Sequence, residues 1–142
     1  DIDKTNPTLF QLDSPTDQIN TMAYNTSMGN NFQANYAYGK VIYYRNGPYC
    51  SDLMTRFYAK WGEERGVAGI SLSKYGIEYR AWVDLTAKEA VIARVSGSEE
   101  RLAEDILSKE FEVATEGKPL ALRFANVDHQ LVFEFGRSRA DS

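Results

Sequence analysis

One cysteine, Cys50, and one histidine, His129, are all that 142 residues offer of two side chains much used for metal binding and nucleophilic catalysis. A lone cysteine excludes an intramolecular disulfide and any cysteine-built zinc site. Long apolar runs are also missing. None approaches the ~18–20 residues that a membrane-spanning helix needs, and no signal-peptide pattern stands within these residues. Basic charge is in short supply. Lys and Arg number 16 against 20 Asp and Glu, a net charge of −4. With no Lys/Arg stripe interleaved with aromatics, nucleic acid is excluded as the main partner.

What is present is aromatic and strand-like. The length suits one domain with a core of its own. Nine Tyr and seven Phe lift the aromatic share to 13%, and such side chains favour pleated, half-buried surfaces. The strongest pattern is residues 120–136, LALRFANVDHQLVFEFG. Leu120, Leu122 and Phe124 share one face, and after a polar turn at residues 126–129 so do Leu131, Phe133 and Phe135. Period two with a short polar linker predicts an antiparallel hairpin.

The same period recurs upstream. Ile77, Tyr79, Ala81, Val83 and Leu85 alternate with Glu78, Arg80, Trp82 and Asp84. Leu53, Phe57, Ala59 and Trp61 alternate with Asp52, Arg56, Tyr58 and Lys60. Further strands are expected over residues 41–45, 68–74, 89–95 and 110–115, with turns at 46–48, 75–76, 86–88 and 117–119. One segment breaks the period: Leu102, Ala103, Ile106 and Leu107 have helical spacing, and Ser96 and Glu99 have capping-box spacing. Residues 96–109 read as a short surface helix or a polar edge excursion, and the helix is favoured.

These elements predict an all-β, antiparallel β-sandwich with at most one short helix. Residues 1–38 read as an irregular N-terminal arm packed on the sandwich and pinned by Tyr24, Phe32 and Tyr36; residues 39–136 read as the sandwich and 137–142 as a frayed tail. The chain begins Asp1-Ile2-Asp3. It is therefore expected to be a piece of a longer protein, with any anchor or catalytic domain outside it.

Three motifs, in order, carry a resemblance: residues 19–26 (INTMAYNT), 79–85 (YRAWVDL) and 123–136, of which Phe124-Ala125-Asn126-Val127-Asp128-His129-Gln130-Leu131 is the most specific part. Together they resemble the β-sandwich domain of signal peptidase I homologues from planctomycete bacteria. The resemblance implies a concanavalin/laminin-G-like jelly roll, placed on the extracytoplasmic side of the cytoplasmic membrane and held there by a segment outside this chain. The sequence departs from the family at Asn20-Thr21, where the family tends to have T-D, and at the helical-looking insert. The family's Ser-Lys chemistry does not carry over. Ser27-Met28-Gly29-Asn30 lacks the proline of S-M-x-P and no Lys-Arg motif follows, so Ser27 is read as a loop serine.

Candidate residues fall into two sets. Asp128 and His129 form the one histidine-containing pair, which could act as a general base, although Asp and Asn in hairpin turns more often bond to their own backbone. Glu78, Arg80, Trp82 and Asp84 form the best binding surface, since a Trp flanked by charges can stack on a sugar or anchor a protein. Against that, a second layer such as the arm is expected to cover Trp82. No E-x-D-x-x-E run exists, and Glu110 and Glu112 read as a solvated strand face, which argues against a glycosidase. Tyr24-Asn25 reads as a structural corner.

The expectation is a non-catalytic accessory domain with no catalytic residue, no metal site and no cofactor, loop calcium being left open. Its partner would be a protein, either its own catalytic module or a precursor, or an envelope glycan. Two alternatives stay open: a free-standing carbohydrate-binding module using exposed aromatics, and a calycin-like barrel enclosing a small apolar ligand.

Overall fold

The structure, a computed structural model, describes residues 9–12, 18–25, 32–33, 37–38, 40–41, 49–50, 52–96, 102–112 and 117–138. The chain divides into two compact units, Asp1–Gln33 and Ala34–Ser142. Within the first, the rings of Tyr24 and Phe32 lie 5.2 Å apart, tilted by 40°. The expected anchor Tyr36 lies outside the described residues, and of the strand expected over 41–45 Val41 is described, in strand conformation, while 42–45 are not.

The described residues of the second unit hold strands and no helix. In chain order they are β1 (Ala37–Tyr38), β2 (Lys40–Val41), β3 (Leu53–Ala59), β4 (Val67–Lys74), β5 (Ile77–Asp84), β6 (Glu89–Ser96), β7 (Leu102–Glu110), β8 (Leu120–Val127) and β9 (Gln130–Ser138). They form antiparallel sheets in the orders β3-β8-β9 and β4-β5-β6-β7, with β1-β2 as a separate short pair.

Alternation decides which side chains meet. Ile70 and Leu72 of β4, Ala81 and Val83 of β5 and Ile92 of β6 form one buried cluster with Leu122 and Phe124 of β8. Phe57, Ala59, Phe133 and Phe135 close its rim. Two sheets thus share one core, which is the definition of a sandwich. Each fully buried Leu, Val or Phe contributes about 1.5–3 kcal/mol relative to exposure. The interior is filled by these side chains and the strands fall into separate sheets. Among the described residues the strands do not close into one barrel.

Two hairpin turns are set by backbone sign. Tyr75 and Gly76 join β4 to β5 with φ of 52° and 78°, and Asp128 and His129 join β8 to β9 with φ of 47° and 64°. Two positive φ values in a two-residue loop mark the type I′ turn, whose twist matches that of paired strands. The second turn is shorter than expected: Asn126 and Val127 still belong to β8, paired with Leu131 and Gln130.

Three other expectations need correction. Residues 102–110 form β7 rather than a helix, because the ladder is bulged: Ile92 faces Leu107 while Ala93 faces Asp105, leaving Ile106 as the extra residue. One inserted residue throws the apolar positions out of phase, and the result imitates a period of 3.6. Of the strand expected over 110–115, Glu110 is the last residue of β7, and Phe111 and Glu112 follow without strand pairing, while 113–115 lie outside the described residues. Finally, β9 carries Arg137 and Ser138, residues expected in the tail.

Candidate functional site

The outer face of the four-stranded sheet holds Glu78, Arg80, Trp82 and Asp84, as alternation on β5 requires, and all four are half-buried. The carboxylates of Glu78 and Asp84 and the Nε of Arg80 are engaged. Glu78 Oε1 accepts hydrogen bonds from Arg80 Nε and from Ser71 Oγ, each at 2.8 Å. Asp84 Oδ1 accepts the backbone N–H groups of Thr86 at 2.8 Å and Ala87 at 3.0 Å, and so shapes the loop into β6. Trp82 stands opposite Gly69, and the missing side chain there leaves room for it. Val91, Ala93 and Val95, which share this face on β6, are buried. The face is therefore not a bare platform.

The outer face of the other sheet carries an unusual row. Arg56 of β3 faces Arg123 of β8, which faces Glu134 of β9. Arg123 Nε lies 3.3 Å from Glu134 Oε2, close enough to pair but outside hydrogen-bond geometry, so that nitrogen is buried without an acceptor. Arg56 donates to the Tyr58 hydroxyl and lies 5.1 Å from the Tyr58 ring centroid.

Asp128 and His129 sit elsewhere, at the tip of the β8–β9 hairpin, and both are exposed. They share one end of the sandwich with the Tyr75-Gly76 turn of the opposite sheet. Between the two turns opens a cleft of about 310 Å³. One wall is Lys74, Tyr75, Ile77 and Tyr79; the other is Asn126, His129 and Leu131. Tyr79 faces this cleft and Glu78 the outer sheet surface, so the two sets of sequence candidates do not converge.

Asp52, just before β3, ties the cleft's walls together. Its Oδ1 lies 3.7 Å from Lys74 Nζ and accepts the backbone N–H of Asp128 at 3.4 Å. The Lys74 stem is packed, with 11% of its side chain exposed, and its ammonium lies 5.7 Å from the Tyr75 ring centroid. Asn126 is the one buried polar residue among those described, at 5% exposure. Its carboxamide bonds to no other described residue, yet its polar atoms are not sealed off; they open on the cleft.

No family model, curated protein or solved structure matches this chain. Its chemistry must be read from its own residues.

The cleft offers mixed hydrogen-bonding chemistry on an apolar and aromatic lining, the usual make-up of a small-molecule site. Among the described residues, its hydroxyl groups are the phenols of Tyr75 and Tyr79. Cys50 is exposed. Among the described residues no group of three or more His, Cys, Asp or Glu is placed to hold a metal ion, and no helix is long and apolar enough to cross a membrane. Sequence reasoning singled out His129 but missed Lys74, Tyr75 and Asn126. Only two turn signals, far apart in the chain, hinted at them.

Proposed function

We propose that this chain is a non-catalytic domain that works by binding or positioning, the jelly-roll module of a signal peptidase I-like membrane protein on the extracytoplasmic side. One observation carries the reading. The mid-chain motif beginning at Tyr79 and the closing motif through Leu131 lie in opposite sheets, yet Tyr79, Asn126, His129 and Leu131 line one cleft. Segments that give a family its signature and meet at an open site suit a shared binding role better than a purely structural one. The all-β sandwich agrees with the fold that the resemblance implies.

The reading is tested in the parent protein. The reading frame should encode an S-M-x-P motif followed by a lysine-bearing motif. Removal of residues 34–138 should spare cleavage of a short synthetic peptide while slowing the processing of full-length precursors in cells. A reading frame with neither motif overturns the assignment.

A further inference from the structure

We propose that the cleft between the two hairpin turns binds a neutral sugar residue, stacked on Tyr75 and hydrogen-bonded by Asn126 and His129. The inference rests on the binding-domain reading above and names the ligand of that site.

Charge narrows the ligand first. Among the described lining residues Lys74 is the one formal cation, and Asp52 stands 3.7 Å from it. Asp128, next to His129, adds a second carboxylate at the tip. With its cation already countered, the cleft has no surplus positive charge for a carboxylate or phosphate ligand. A wholly apolar ligand is no better, because it would cover the Asn126 carboxamide and leave it without a partner. Burying such an amide unpaired costs roughly 1–3 kcal/mol.

A sugar ring satisfies both sides. Its hydroxyl groups donate and accept, matching the carboxamide of Asn126, the imidazole of His129 and the ammonium of Lys74. Its C–H face suits the aromatic and aliphatic lining of Tyr75, Tyr79, Ile77 and Leu131. A volume of about 310 Å³ is at the small end of the range of about 300–1,000 Å³ for ligand sites, the size for one residue of a glycan rather than an extended chain.

The turns supply a separate argument. A type I′ turn favours Asn, Asp or Gly at positions of positive φ, yet Tyr75 has φ of 52° and His129 has φ of 64°. Non-glycine residues held there cost of order 1–3 kcal/mol each and persist where something compensates. Both of these costly residues line the cleft, and Tyr75 presents its ring at 82% exposure. An exposed tyrosine contributes little to the core, so stability does not account for it.

The test is an amide-resolved NMR titration of the whole chain with the methyl glycosides of glucose, galactose, mannose and N-acetylglucosamine at millimolar concentration. At least one should move the amides of residues 74–79 and 126–131 together. Tyr75→Asn keeps a residue suited to positive φ and should weaken that binding ~tenfold, the loss expected for one aromatic stacking contact. Trp82→Phe, on the outer face, should leave it unchanged. If Tyr75→Asn fails to fold, His129→Gly carries the same expectation. No shift with any glycoside, shifts confined to the β5 outer face, or binding indifferent to the turn variant overturns the proposal. Failure of every glycoside alongside impaired precursor processing in the deletion strain sinks the sugar and leaves the binding domain standing; intact processing removes both.

Discussion

Gly69 and Trp82 face each other across β4 and β5, and a Cβ on Gly69 would lie 2.7 Å from the Cβ of Trp82 and 2.6 Å from the carbonyl oxygen of Ala81. Real Cβ atoms do not approach so closely, and one of the two obstacles is backbone. Gly69→Ala should therefore destabilise the domain by ~1–3 kcal/mol, the range for overpacking, as read by urea unfolding. Adding Trp82→Ala should recover little of the loss, because alanine keeps the obstructing Cβ and the Ala81 carbonyl stays in place. Full recovery would show that the indole alone required the glycine.

Leu122 and Phe124 have no solvent exposure and meet side chains from both sheets. Truncating Phe124 to Ala should cost ~3–5 kcal/mol. The loss should fall on both sheets at once, since they share the core. Trp61 follows β3 and Trp82 lies in β5, so near-ultraviolet circular dichroism and single-tryptophan fluorescence variants should report coincident transitions. Separate midpoints for the two indoles would mean that the sheets unfold independently.

At the closing hairpin, His129→Gly removes a side chain from a position of positive φ and leaves Asp-Gly, a favoured type I′ pair. Stability should rise by about 1 kcal/mol, visible as a Tm higher by several degrees. A fall in Tm would mean that the imidazole makes a contact worth more than the strain.

The Arg56–Arg123 row sets like charges directly opposite, an arrangement that costs ~0.2–1 kcal/mol. Arg56→Thr should raise stability by that order. Glu134→Gln, which strips Arg123 of its carboxylate 3.3 Å away, should lower it by about 0.5–1 kcal/mol. Both effects should shrink as salt is raised from 10 mM to ~1 M, because these groups are partly open to screening. Effects insensitive to salt would point to packing of the long arginine stems instead.

The inward stripe Ala81, Val83, Leu85 was legible because an unbroken strand keeps its period, and the buried Leu122 and Phe124 follow the same rule. β7 was not, since a bulge at Ile106 shifts the phase and no local signal separates that from a helical turn. Glu78, Arg80 and Asp84 were correctly set on one face, but sequence could not reveal that Asp84 caps its own loop or that Glu78 holds Arg80. The cleft was beyond local patterns altogether. Lys74 and Tyr75 meet Asn126 and His129 only because two hairpins from opposite sheets end at the same place, a fact of topology rather than of spacing.

The extra residue in β7 has a consequence for how the sheet meets other chains. Among the described strands β7 is the outermost of its sheet, bonded to β6 alone, and an outermost strand can serve as a template on which another chain deposits. A regular row of N–H and C=O groups would invite that. The bulge opposite Ile92 and Ala93 breaks the row near its middle, so an incoming strand in register with one half is out of register with the other. The irregularity that hid this strand from its sequence thus also guards the domain against self-assembly into fibrils along that side.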